Sequence, residues 1–210
     1  MGNRCEVKAQ TVILANGDFP KKGGVAWKLL AAATRVVCCD GAADAYRRRF
    51  GCWPAVVVGD MDSLAPHPSS LIPHPSSLFP IPDQETNDLE KAMAFCSKEG
   101  WRNVVVVGAT GKREDHTIGN VFRALERQVP IVTDFGVFHP VCGRKVLKTA
   151  KGKGVSVFAP DPRTRMSSTG LAWPLEGVKF RNLFCATLNR ATASRVTISS
   201  DKPAYVYVES

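Results

Sequence analysis

Over about the first 135 residues the chain repeats one pattern: a short, unbroken β-branched run followed by a stretch with helical periodicity. The runs are Thr11–Ala15, Arg35–Cys39, Ala55–Val58, Asn103–Val107 and Pro130–Thr133. They are apolar throughout rather than alternating, which suits strands covered on both faces of a parallel sheet. Helices are predicted over Val25–Ala33, Ala42–Phe50, Asn87–Lys98 and His116–Gln128. In the third of these, Leu89, Ala92, Met93 and Cys96 recur on one helical face, and Asn87 with Glu90 makes a capping start. Strand and helix alternating in this way predict an open α/β layer structure.

After about Gly136 the pattern changes. Val155–Ala159, Val178–Thr187, Arg195–Ser199 and Ala204–Glu209 are separated by turn residues, and little reads as helix. Short strands at this spacing predict a small all-β second domain, giving domains over 1–137 and 138–210. Pro66–Ile72 recurs as Pro73–Phe79, a tandem duplication whose Pro and Ser content predicts an exposed loop; His67 and His74 read as loop residues.

The net charge of +9 suits either nucleic acid or a polyphosphate ligand. The basic residues are dispersed, and the densest cluster, Arg47–Arg49, reads as a solvated helix end. Seven cysteines at scattered spacing, with no CxxC, signal neither a zinc site nor a redox pair. A reducing compartment accounts for them most simply. No apolar run approaches the ~18–20 residues that span a bilayer, and Met1–Glu6 has no signal-peptide core. Glu6 also stands where a myristoylation signal wants Ser or Thr. The expectation is a cytoplasmic protein with no membrane partner.

In an open parallel sheet, ligands bind beyond the carboxyl ends of the strands. Here those ends carry Asn16-Gly17-Asp18, Asp40-Gly41, Gly59-Asp60-Met61-Asp62 and the Gly108–His116 segment. Asp60 and Asp62 point the same way in extended chain, and like charges so close repel unless a cation lies between them. With Asp40 and Asp88 expected at the same rim, the acids predict a Mg²⁺ site built from hard carboxylate oxygens. The competing account is an Asp-rich turn at 60–62 and a charge at a helix start for Asp88. In Gly108–His116 the glycines permit close backbone approach to phosphate, and Lys112 and Arg113 can neutralise it. Neither a Walker A loop nor GxGxxG is present.

Cys39–Asp44 (CDGAAD), Gly59–Leu64 (GDMDSL), Asp83–Ala92 (DQETNDLEKA) and Gly108–Asn120 (GATGKREDHTIGN) resemble, in order and setting, the motifs of thiamin pyrophosphokinases. Ser168–Leu175 (STGLAWPL) and Ala186–Ala191 (ATLNRA) resemble that family's thiamin-binding domain, so the likeness spans nearly the whole chain. It implies a Rossmann-like α/β domain, a C-terminal β-sandwich and a homodimer with sites between subunits. It implies Asp40, Asp60, Asp62 and Asp88 as the acids that gather Mg²⁺ and the ATP phosphates, with Asp60, Asp62 and Asp88 catalytic. Gln84, Thr86, Thr110, Lys112, Arg113, Asp115 and Asn120 are the implied nucleotide contacts. Trp173, Thr187 and Asn189 are the implied thiamin contacts. Where many members carry Ser-Asn, this chain has Leu188-Asn189.

The reaction this implies is attack of the thiamin hydroxyl on the β-phosphorus of ATP, with AMP leaving. No Ser-His or Cys-His nucleophile pair is evident, which fits direct transfer by positioning and charge neutralisation. Two rival readings stand beside it: a pyrophosphokinase for another alcohol such as a hydroxymethylpterin, and a basic nucleic-acid-binding protein. Against the latter, the basic residues form no stripe with interleaved aromatics, and the acids concentrate where nucleic acid would sit.

Overall fold

The computed structural model describes residues 11–61, 78–82 and 85–210. Asp62, Gln84 and all but the last two residues of the tandem duplication, His67 and His74 included, lie outside the described residues. The fold is mixed α/β about a central sheet, and the chain divides into two units, Lys8–Ala124 and Leu125–Ser210.

In the Lys8–Ala124 unit the strands are β1 (Thr11–Leu14), β2 (Arg35–Cys39), β3 (Val56–Gly59), β4 (Leu78–Pro80) and β5 (Val104–Val107). They lie in the order β4-β3-β2-β1-β5, and every neighbouring pair is parallel. The helices are α1 (Val25–Ala32), α2 (Ala42–Phe50), α3 (Asp88–Lys98) and α4 (Glu114–Glu126). Strands β1, β2, β3 and β5 and all four helices fall within two residues of their predicted bounds. The reason is physical: Val12, Ile13, Val37, Val57 and Val106 are fully buried, as strands covered on both faces require. The Asn87 side chain accepts from the Glu90 N–H at 2.9 Å and caps α3, and Leu89, Ala92, Met93 and Cys96 are all buried.

Leu78 and Phe79, read as loop, instead form β4 alongside β3, with Val57 opposite Leu78 and Val58 opposite Phe79. Phe79 packs on Phe95 of α3 at 4.5 Å between ring centroids, an apolar anchor that the surrounding Pro and Ser conceal in the sequence. Arg47–Arg49 is also more than a solvated end. The Arg47 guanidinium lies 5.0 Å from the Trp53 ring and that of Arg49 5.1 Å from Phe19.

The Leu125–Ser210 unit contains no helix beyond the end of α4 among its described residues. It comprises β6 (Ile131–Val132), β7 (Gly136–Lys148), β8 (Gly154–Phe158), β9 (Met166–Thr169), β10 (Ala186–Arg190) and β11 (Arg195–Glu209). The order is β6-β7-β11-β8-β10, all antiparallel, with β9 on a further stretch of β11. Strand β6, expected as one more parallel strand, pairs antiparallel with β7.

The predicted strands at 195–199 and 204–209 are one strand, β11, bent at a bulge between Ser200 and Ala204. There the Ser200 hydroxyl donates to the Lys202 carbonyl. Val178–Thr187 is not a strand over its length. Asn182 turns the chain by accepting from the Phe184 N–H at 3.1 Å, and pairing begins only at Ala186. Val155, Val157, Phe180, Val196, Ile198 and Val206 form the centre of this unit's core.

Six cysteines fall within the described residues, and all six are free. Cys38, Cys39 and Cys96 are buried, and burial pushes the Cys96 thiol up to about 12, so these act as small core hydrophobes. Cys52, Cys142 and Cys185 are exposed. No helix among the described residues is long and apolar enough to cross a membrane.

Candidate functional site

The strand order reverses at β1: the chain proceeds through β2, β3 and β4 on one side and returns to β5 on the other. A crevice opens at such a switch point, outside the carboxyl ends of the strands. In this chain it is a cavity of about 390 Å³.

Two loops form its mouth and are locked to each other through backbone. Gly17 N–H donates to Gly108 O at 2.7 Å, and Asp18 N–H to Thr110 O at 2.8 Å. Only glycine fits at 17, because a Cβ there would lie 2.5 Å from the Gly108 carbonyl oxygen and closer still to that of Thr110. On this frame stand Asn16, Lys112, Arg113 and His116, all exposed and all facing the cavity. Lys112 Nζ donates to Asn16 Oδ1 at 3.0 Å. Arg113 holds the Asp115 carboxylate in a two-pronged pair, at 3.1 and 2.6 Å. That hydrogen bonding keeps the Asp115 carboxyl below its ordinary value.

The opposite wall comes from the β3 end and the start of α3. Asp60, Thr86, Asn87, Asp88 and Lys91 line it. Asp40 is 1 % exposed and holds a left-handed backbone with φ of 35°. Its N–H donates to Val58 O at 3.0 Å, which ties the end of β2 to β3. Gly59 makes room for the acids: a Cβ there would lie 2.8 Å from the Asp40 Cβ and 3.3 Å from Asp88 Oδ1. Asp40 and Asp88 therefore approach each other across the Gly59 backbone, one residue before Asp60. Asn120 closes this side, donating to Ala109 O at 3.0 Å and accepting from Asn87 Nδ2 at 3.2 Å.

Of the residues singled out in the sequence, Asp60, Thr86, Asp88, Lys112, Arg113 and Asn120 thus share one cavity. Asp40 adjoins it behind Gly59; Thr110 contributes its carbonyl to the loop lock, and Asp115 pairs with Arg113. Asp62 and Gln84 lie outside the described residues. No group of three or more His, Cys, Asp or Glu placed to hold a metal ion occurs among the described residues. The acid oxygens at Asp40, Asp60 and Asp88 are nonetheless the hard donors that Mg²⁺ takes, one or two at a time, with phosphate and water completing its shell. The donor chemistry therefore fits that ion.

Sequence reasoning placed Asn16 and His116 only within strand-end segments, and Lys91 only within the Asp83–Ala92 motif, and gave none of the three a role of its own. Position gave a signal for the first two, since Asn16 directly follows β1 and His116 opens α4. Lys91 gave none beyond its place three residues after Asp88.

In the Leu125–Ser210 unit, Trp173 is 60 % exposed. Asn189, 4 % exposed, spends its amide on the backbone beside that indole. Asn189 Oδ1 accepts from Trp173 N–H at 3.1 Å and Arg190 N–H at 2.8 Å, and Nδ2 donates to Trp173 O at 2.6 Å. Thr187 turns its hydroxyl to the Phe184 carbonyl at 3.0 Å. Leu188 is 85 % exposed in a left-handed conformation, φ 63°.

An α/β unit with acids and cations facing one cavity at the switch point has the kind of site at which nucleotides and phosphates are bound. Comparison with known proteins narrows the class. Residues 26–133 match the thiamin pyrophosphokinase catalytic domain, and 136–207 match the thiamin pyrophosphokinase substrate-binding domain. Thiamin pyrophosphokinase 1 of Caenorhabditis elegans is 27% identical, covering 96% of this chain and 89% of its own length. Thiamine pyrophosphokinase 1 of Oryza sativa subsp. japonica is 25% identical, covering 92% and 84%. The crystal structure of a thiamin pyrophosphokinase family protein from Enterococcus faecalis superposes with a TM-score of 0.75 at 15% identity, over 96% of this chain and 99% of that one, and so shares the fold. The chain belongs to the thiamin pyrophosphokinase family. The match to both domains favours neither the pterin nor the nucleic-acid reading.

Proposed function

We infer that this chain is a thiamine diphosphokinase, transferring the pyrophosphoryl group of ATP to the hydroxyl of thiamin. The observation that carries the reading is the single cavity in which Asp60 and Asp88 face Lys112 and Arg113 at the switch point of a parallel sheet. A polyphosphate that arrives with a divalent ion needs both signs of charge within reach, and a plain basic groove offers only one.

In the proposed reaction the thiamin oxygen forms a bond to the β-phosphorus of ATP. The bond from that phosphorus to the α–β bridging oxygen breaks, and AMP leaves with its electron pair. The hydroxyl proton passes to a carboxylate of the Asp60, Asp62, Asp88 set. Asp40, Asp60, Asp62 and Asp88 would hold Mg²⁺, which when bound polarises phosphoryl oxygens and offsets their charge. Lys112 and Arg113 bind the phosphates, with Asp115 orienting the Arg113 fork and Thr86, Gln84, Thr110 and Asn120 completing the nucleotide contacts. In the second unit Trp173 offers its indole to thiamin, Asn189 braces it and Thr187 shapes the adjoining turn.

The finer architecture proposed with this reading is a Rossmann-like domain over 1–137 that binds ATP and Mg²⁺, and a β-sandwich over 138–210 that binds thiamin. The assembly is a cytoplasmic homodimer. The test is incubation with ATP and Mg²⁺ plus either thiamin or a hydroxymethylpterin, with AMP and the diphosphate ester resolved by chromatography. AMP and thiamin diphosphate in equal amounts support the reading; AMP release that depends on the pterin alone overturns it.

A further inference from the structure

We infer that Lys91 is a phosphate-binding residue whose ammonium group holds the polyphosphate of the nucleotide on the buried side of the cavity, an inference that rests on the pyrophosphokinase reading above. Lys91 is 4 % exposed, yet it lines the cavity. An ammonium group out of water costs several kcal/mol unless it is well paired and its donors are used. Its one partner among the described residues is Asp88 Oδ1, at 3.5 Å, the outer limit of a hydrogen bond. An ammonium carries three N–H donors, so donor capacity remains directed at the cavity.

The other cations that face this space differ. Lys112 and Arg113 are exposed, and each is already engaged, with Asn16 and with Asp115. Lys91 is the cation that α3 places deep, one helical turn beyond Asp88 and on the same face. A site of this kind wants a ligand rich in acceptor oxygens and negative charge. Thiamin is itself a cation and would be repelled, so the polyphosphate is the part of the substrate pair that Lys91 recognises. Deep in low dielectric, a charge-assisted hydrogen bond to phosphate is stronger than the same bond at the exposed rim.

The alternative is that Lys91 serves only as the counter-charge of Asp88. A binding cycle separates the two. Affinity for inorganic tripolyphosphate is measured by calorimetry, with EDTA present, for Asp88→Asn and for Asp88→Asn combined with Lys91→Met. With the carboxylate neutral, a pure counter-charge has nothing left to balance, and removing Lys91 then leaves affinity unchanged. A direct phosphate ligand predicts a further loss of roughly tenfold. AMP binding to the single variant Lys91→Met should fall by less than tripolyphosphate binding.

Equal tripolyphosphate affinity in the two Asp88→Asn backgrounds overturns the inference. Where Lys91→Met does not fold, as judged by its thermal transition, Lys91→Gln takes its place in the same cycle and is read the same way. Wild-type protein that makes no AMP from ATP and thiamin would instead sink the pyrophosphokinase reading, so the two failures are distinct.

Discussion

In the Lys8–Ala124 unit the candidate ligand groups stand on segments that leave parallel strands, and backbone hydrogen bonds fix those segments. In Leu125–Ser210 the exposed Trp173 is set by a side chain, the buried amide of Asn189, acting across sixteen residues. The first arrangement is local: Asp40 and Asp60 directly follow β2 and β3, and Asp88 opens α3. The second depends on antiparallel pairing between distant segments. A chain built in these two ways should lose function differently when each is cut. Changes in the α/β unit should strike turnover, and changes at the brace should strike one substrate's affinity.

The largest effect is expected at Asp60. Asp60→Asn should lower AMP production by about a hundredfold or more while the melting temperature stays near wild type, Asp60 being only partly buried. Near-normal turnover would remove Asp60 from the reacting centre and weaken the contrast between the units. Asp62→Asn is expected to behave alike.

The acid limit of stability should lie in the other unit. Burial, aided by nearby Lys145, holds the His139 imidazole down at about 4 from its ordinary 6.5. Between those values the unfolded chain takes up a proton that the folded chain refuses. Stability is therefore full above pH 6.5 and falls as pH drops toward 4, by an amount approaching about 3 kcal/mol. Urea unfolding at pH 7 and pH 4.5 checks this: the drop should shrink in His139→Gln, and an unchanged drop would assign the acid sensitivity elsewhere.

Gly17→Ala tests the backbone lock. Its added Cβ meets the Gly108 and Thr110 carbonyls, so the loops must part, at a cost of about 2 kcal/mol in stability and with weakened ATP binding. An unaltered denaturation midpoint would show that the loops are not locked as described.

Asn189→Ala is the mildest. It should raise the thiamin KM by roughly tenfold with little change in the ATP KM, and shift the Trp173 fluorescence as the indole loses its support. Equal changes in both KM values would mean that the brace is general scaffolding.

The same contrast explains what could be read from the sequence. Strands β1, β2, β3 and β5 are legible because burial on both faces leaves no choice but continuous apolar residues. The placement of Asp40 and Asp60 at the cavity is legible because both directly follow such strands, where ligand sites of parallel sheets lie. Strand β7 is not, because Pro140 and Gly143 interrupt its run, and only pairing with β11 reveals it. Lys91 is hidden for a different reason. A lysine on a helix is ordinarily solvated, and nothing local says that α3 is buried on the side that carries it. Asn189 was singled out as an implied thiamin contact, but its bracing of the Trp173 backbone was not legible, since an amide can bind a ligand or a backbone equally well. Only its bonds to the Trp173 backbone show it as a brace.

The most direct test follows the label from two preparations of ATP, one radioactive in the α-phosphate and one in the γ-phosphate, each incubated with Mg²⁺, thiamin and the protein. The account predicts γ-label in thiamin diphosphate and α-label in AMP, in matching amounts. Label from the γ position in thiamin monophosphate with ADP as co-product, or no labelled thiamin ester at all, would contradict it.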